Sequence, residues 1–297
     1  MERISTAEKW AWILTATVAP AAQFLTGWTW YWVPAAALAA ALLWGLSKSA
    51  GGKLRSALGI VALGLILCRS VRFMADGWRN FGSSPIMALL LLALAVWSLW
   101  KDGHRCRRAC CAMFWLVMLL LAAVVLAAAK DVRWERLVTR ELRWNADGIW
   151  VLLLPCLGVF EEKRDRSWRR WALALGVLTT VLAVATWGCL GSEGDFFDLA
   201  GSLKLFGVVQ RFEPLVAAAL TLGWFAFAGY VLTAAQTLWR RLQPEPPAWL
   251  PPMVLCGAAA VGMLLNLSPG GSMVSAIAGL YAIAGVLTRQ KTKEKEI

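Results

Sequence analysis

Residues 194–239 read GDFFDLAGSLKLFGVVQRFEPLVAAALTLGWFAFAGYVLTAAQTLW, and the change of character inside this stretch decides the fold. Its first part sets Asp195 and Asp198 among Phe196 and Phe197, with Glu193 just ahead. Phe196, Leu199, Leu203 and Phe206 recur at helical spacing and share one face. From Pro214 the chain carries no charge until Arg240. Pro214 suits the first turn of a helix, and Glu213 stands where a helix N-terminus favours an anion. The spacing therefore predicts a helix over Phe196–Phe212 lying along the outer membrane surface, a corner at Glu213-Pro214, and a spanning helix over Pro214–Trp239. At 1.5 Å per residue that run reaches ~39 Å. The hydrocarbon core is ~30 Å thick, so the helix is expected to tilt or project beyond it. Arg211 and Glu213 at the corner are either interfacial anchors or structural and gating charges. Two residues apart, they cannot pair on one helix face. Their expected partners are the other outer-edge charges, Asp147 and Arg69.

Working outward, the rest of the chain repeats the apolar theme. Of its 297 residues 59% are hydrophobic and 16% charged, too apolar a balance for a soluble enzyme of this length. Ten apolar runs are visible, at about 10–27, 31–47, 56–74, 84–100, 109–129, 147–160, 171–190, 214–239, 249–267 and 271–288. The fold expected is an all-α polytopic membrane protein of about ten transmembrane helices. It forms a single integral membrane domain over 1–297, in halves of about 1–129 and 147–288. The halves are joined by an amphipathic interfacial helix at about 130–143, where Trp134, Leu137, Val138 and Leu142 gather near one face among mixed charges. Many of the 19 Trp flank the runs, as an aromatic belt does.

The net charge of +12 sits in the connections between runs, which is a membrane-orientation signal and not a nucleic-acid footprint. With both termini placed inside, Lys and Arg on the inner segments outnumber those on the outer ones two to one. The expected location is the cell membrane, with both termini cytoplasmic. The seven Cys show no paired spacing, which argues against a disulfide framework. Cys106, Cys110 and Cys111, near His104, begin a span beside basic residues with no second ligand cluster, so no metal is expected.

The candidate ligand site rests on two interrupted runs. The first carries Thr15, Thr17, Pro20 and Gln23, closed by Gly27, and the sixth carries Gly148, Pro155 and Gly158 in the shortest run. Short or Gly/Pro-interrupted spans at matching positions of two halves point to a midplane binding site in inverted-repeat transporters. A proline inside a span frees a carbonyl that protein, ligand or water must satisfy. Prolines that merely kink their spans are the alternative. No acidic residue lies in the middle of a run; Asp147, Asp198 and Glu213 stand at outer edges. Arg69 and Arg72 are the deepest charges, placed either to meet a ligand carboxylate or to snorkel outward. There is no nucleophile–base pair and no phosphate-cradling loop, so an enzyme is not expected, nor a cofactor.

On Leu205–Tyr230, with Arg211-x-Glu213 and Trp224, and on the opening Ser5-Thr6-Ala7-Glu8-Lys9 with its apolar run to Gly27 and Trp28, the chain resembles the spore germination GerAB family. That family lies within the amino acid–polyamine–organocation transporter superfamily. The resemblance implies a five-plus-five inverted repeat with broken helices 1 and 6 around a small-molecule site. It implies a nutrient such as an amino acid as ligand, the lipid bilayer as solvent, and other germinant-receptor subunits as partners, without nucleic acid. The function expected is a nutrient-binding membrane subunit of a germinant receptor. The alternatives are a secondary amino-acid transporter, sodium-coupled in one form, and a ligand-free membrane scaffold. The charge distribution makes one direct prediction: a reporter active only outside the membrane, fused after Ile297, stays silent. Activity there would mean an odd number of spans or the reverse orientation.

Overall fold

All ten apolar runs fold as α-helices, and among the described residues there is no strand. The computed structural model describes residues 6–25, 28–46, 52–76, 85–101, 103–138, 146–157, 168–191, 194–203, 213–243, 247 and 249–294. The first five runs become α1 (Thr6–Phe24), α2 (Trp32–Leu46), α3 (Lys53–Asp76), α4 (Pro85–Lys101) and α5 (Gly103–Ala128). The later five become α7 (Ile149–Leu157), α8 (Trp168–Leu190), α10 (Glu213–Leu242), α11 (Leu250–Leu264) and α12 (Gly271–Glu294). Two short helices, α6 (Trp134–Leu137) and α9 (Phe196–Ser202), and a 3₁₀ turn at Ala146–Gly148 fill the connections. Four helices, α3, α5, α8 and α10, are long and apolar enough to cross a membrane; α2, α4, α11 and most of α12 are shorter apolar helices. The chain is thus an all-helical protein with the character of an integral membrane protein.

Helix α10 is the centre of the bundle. It packs against α1, α3, α4, α5, α9 and α11, and 72% of its most apolar window is buried, against 22% for α5. Small residues make this possible. Ala217, Ala219, Gly223, Ala226, Ala228, Gly229, Ala234 and Ala235 are all buried along it. Lipid tails are as apolar as leucine, so helices associate through close packing, which small side chains allow. At Gly223 a Cβ would lie 3.0 Å from Ala19 Cβ and 3.3 Å from the Ala19 nitrogen, which fixes the depth at which α1 meets α10. Further along the same seam, Trp12 Nε1 donates to Ala226 O at 3.3 Å and the Trp12 ring meets Tyr230 edge-on at 5.5 Å. The peripheral helices instead turn large apolar side chains outward, such as Trp115, Leu119 and Leu126 on α5 and Trp97 on α4.

Three expectations are corrected by the connections. Lys130–Arg143 does not form one helix: 129–133 is turn and extended chain, only Trp134–Leu137 is helical, and 139–143 lie outside the described residues. The reason is a competing partner, because Arg133 N donates to Gly188 O at 3.0 Å and Val132 packs onto Gly188 of α8. The Phe196–Phe212 helix stops at Ser202 as far as it is described, with 204–212 outside the described residues. Its face of Phe196, Phe197, Leu199, Ala200 and Leu203 is buried in the core cluster, so α9 is a packed cap against α1, α8 and α10. Asp195 starts it through a capping box, accepting from Phe197 N and Asp198 N while Asp198 accepts from Asp195 N.

The third correction concerns the prolines. Helix α1 runs through Pro20 to Phe24, and α7 runs through Pro155 to Leu157, so neither proline marks a break. One lost hydrogen bond in each is tolerated because both helices are enclosed by packing; Trp150–Leu157 are all buried. What distinguishes α7 is length. Its nine residues span ~13.5 Å, under half of the ~30 Å hydrocarbon core. Residues 158–167 beyond it, including Gly158, lie outside the described residues. The carbonyl of Leu154, near the end of α7, accepts from Tyr230 Oη of α10 at 3.0 Å, which supplies the partner a helix end lacks.

The α1–α10 contact yields a prediction. Gly223→Val forces a branched side chain into Ala19, an overpacking that costs ~1–3 kcal/mol. The purified variant should unfold at a lower temperature than wild type in detergent. An unchanged midpoint would mean that α1 and α10 do not meet at this glycine.

Candidate functional site

The site is built where α1 and α3 finish and where α7 and α12 begin. Arg69 reaches inward from α3, with 13% of its side chain exposed. Its Nη1 donates to Pro269 O at 2.8 Å, in the turn before α12, and its Nη2 donates to Asp147 Oδ2 at 3.5 Å. The two side chains form an ion pair. Asp147 sits in the 3₁₀ turn leading into α7 and abuts the start of α12. A Cβ at Gly271 would lie 2.8 Å from Asp147 Cβ, so glycine there lets the helix N-terminus reach the carboxylate. An anion at that end of a helix is favoured by the backbone dipoles. Trp150 N donates to Ser275 Oγ at 3.3 Å and ties α7 to the same helix.

Aromatic rings line the apolar side. The Arg69 guanidinium carbon is 5.4 Å from the centre of Phe24 and 5.8 Å from that of Phe73. Phe24 meets Phe73 at 4.6 Å and Trp150 at 5.1 Å, both edge-on. Trp150 continues to Phe227 and Trp224 of α10. A guanidinium over ring faces gains roughly 0.5–2 kcal/mol per contact, depending on how dry the site is.

Within this frame Arg69 Nε and Trp150 Nε1 are buried without a hydrogen-bond partner, as are Trp28 Nε1 and Thr29 Oγ1 in the segment after α1. All belong to the segment after α1, to α3 or to the start of α7. Leaving a buried donor unsatisfied costs ~1–3 kcal/mol. The arrangement therefore favours a group rich in acceptors, such as a carboxylate, over a cation.

The residues singled out from sequence are distributed over several places. Thr15 Oγ1 and Thr17 Oγ1 donate to Ala11 O and Ile13 O, each at 2.7 Å and within their own helix. Gln23 Nε2 reaches Asp195 Oδ2 at 3.5 Å and ties α1 to the cap of α9. Gly148 lies under Phe24 O and Leu25, so the turn before α7 touches the end of α1. Pro155 lines a small apolar pocket between α1, α2, α7 and α8, with Trp10, Ala40, Trp44 and Leu152. It holds about 20 Å³, roughly one water and far less than an amino acid. None of the other five lines this pocket. Pro155 beside Trp10 at one end and Trp150 beside Phe24 at the other do show α1 and α7 lying antiparallel against each other.

Of the charges, Arg69 and Asp147 pair with each other, where their elements converge on the turn at Pro269. Glu213 instead lies over α9, where a Cβ at Gly201 would come within 2.8 Å of its Oε1; Arg211 lies outside the described residues. Arg72 is exposed. Sequence reading missed Phe24, Phe73, Trp150, Pro269, Gly271 and Ser275, whose roles come from contacts far along the chain. Among the described residues no three potential metal ligands gather; Cys111 Sγ donates to Glu8 O at 3.2 Å.

No protein-family model matches the chain, and no curated protein matches it.

The geometry orders two variants. Asp147 is 43% exposed, so its pair with Arg69 contributes ~1 kcal/mol or less, and Asp147→Asn should lower the unfolding midpoint slightly. Arg69→Gln should lower it more, because it also abandons Pro269 O and two aromatic faces. Thermal unfolding of both proteins in one detergent checks the order; the reverse order would deny Arg69 its central position.

Proposed function

We propose that the chain is a nutrient-binding integral membrane subunit of the spore germinant-receptor type, sensing a small molecule such as an amino acid. The observation that carries this reading is the pair of buried, unpartnered donors Arg69 Nε and Trp150 Nε1, whose side chains both meet Phe24 where α1 meets α7. In the five-plus-five reading, α1 and α7 are the first helices of the two halves. The nutrient carboxylate accepts from Arg69 and from the indoles, and its binding competes with Asp147 for the guanidinium. Releasing Asp147 loosens the starts of α7 and α12 together, which converts occupancy into movement that partner subunits can sense. The Arg69 end then faces outward, the location is the cell or spore inner membrane, and both termini are cytoplasmic.

The absence of a mid-span acid in the sequence favours sensing over proton-coupled transport. Thermal-shift measurements on the purified protein test the reading. At least one amino acid should raise the midpoint, while the amine lacking its carboxylate should not. Arg69→Gln should weaken the response by roughly ten- to a hundredfold, the worth of a charge-assisted hydrogen bond. Uptake of the same amino acid by proteoliposomes of the protein alone would replace sensing with transport. No shift with any amino acid or other small nutrient would leave a ligand-free scaffold.

A further inference from the structure

The end of the bundle opposite Arg69 carries a different concentration of charge. There α3 begins with Lys53, Leu54 and Arg55, and α10 closes with Arg240 and Arg241. Arg55 is only 6% exposed, and its guanidinium carbon lies 4.7 Å from the centre of the Tyr281 ring of α12. One turn along α3, a Cβ at Gly59 would lie 2.6 Å from Leu238 Cδ1 and 2.7 Å from Tyr281 Cε2. That missing side chain lets α3, α10 and α12 close on one another and brings the arginines together. Arg241 is half-buried, and the charge of Arg55 and the Tyr281 ring both act on it.

The rim of this corner is apolar and faces outward. Leu54 is 86% exposed beside Arg55, and Leu280, Ile283 and Leu287 form an exposed stripe along α12. A soluble anion would need only the arginines. An anionic lipid would use both features, its phosphate at the guanidiniums and its acyl chains along the stripe. Basic pockets between membrane helices hold lipid headgroups in this way. Arginine forks also match phosphate oxygens better than ammonium groups do.

We propose that the corner between α3, α10 and α12 binds an anionic phospholipid. Arg241 meets the phosphate at the mouth, Arg55 reinforces the positive potential from behind, and Leu280, Ile283 and Leu287 lie along the acyl chains. The site is independent of the nutrient reading, since no residue is shared with the Arg69 end.

The test uses the full chain in detergent with added phosphatidylglycerol, phosphatidylcholine or inorganic phosphate. Native mass spectrometry of the wild type should show phosphatidylglycerol retained roughly tenfold or more over phosphatidylcholine, as expected for two basic residues at a headgroup. Phosphatidylglycerol should raise the unfolding midpoint, and inorganic phosphate should not. Arg241→Gln should remove most of that preference, whereas Arg170→Gln, the same charge loss at an exposed position on α8, should keep it. Equal retention of the two lipids by the wild type would overturn the proposal without any variant. So would an Arg170→Gln effect as large as that of Arg241→Gln. Stabilisation by inorganic phosphate alone would replace the lipid with a soluble anion.

Discussion

The approach of α1 to α10, with Ala19 against Gly223, is the contact on which the bundle depends. In a bilayer the hydrophobic effect does not push helices together, so stability must come from dispersion at short range. Short range requires small side chains, and α10 supplies them on nearly every side. The consequence is a helix buried along most of its length, with α1, α3, α4 and α5 from the first half of the chain and α9 and α11 from the second arranged around it. Helix α7 reaches the core from another direction, through α1 and α12, and is held at its far end by Tyr230 of α10. The large side chains are displaced outward, where lipid accommodates them without a specific fit.

A second constraint is the dryness of the interior. Thr15, Thr17, Ser70, Thr179, Thr186, Thr221, Thr233 and Thr237 each donate to the carbonyl four residues back in their own helix. Such hydroxyls are satisfied wherever the helix goes and need no cavity. Against that background the unpartnered indoles and Nε near Phe24 stand apart, because rigid donors at fixed positions cannot turn back onto their own backbone. The two kinds of polar group carry opposite information about binding.

The bundle is also asymmetric end to end. At one end a single arginine is balanced by a carboxylate, a carbonyl and aromatic faces, and these partners belong to four different elements. At the other, Arg55 and Arg241 gather at a tyrosine, and apolar side chains flank them. An arrangement that shares one charge among several elements responds to a competitor for that charge. An accumulation of like charge instead favours an anion brought from outside.

Much of this was legible in the sequence. Apolar runs long enough for helices, separated by charged or glycine- and proline-bearing connections, determined that the chain is all-helical and membrane-like. They also placed α1–α5, α7, α8 and α10–α12, because length and composition act locally. The start of α10 at Glu213 followed from short-range chemistry as well. The tertiary structure decided the rest. Periodicity predicted a helix through Lys130–Arg143, but a hydrogen bond to Gly188, far along the chain, drew Arg133 into extended form. Proline spacing suggested breaks at Pro20 and Pro155, but packing on all sides carried both helices through. Arg69 was visible as a deep charge, yet its partners lie 78 and 200 residues away in Asp147 and Pro269. No local pattern encodes such a pairing, because it is decided by which helix ends the fold brings to one place.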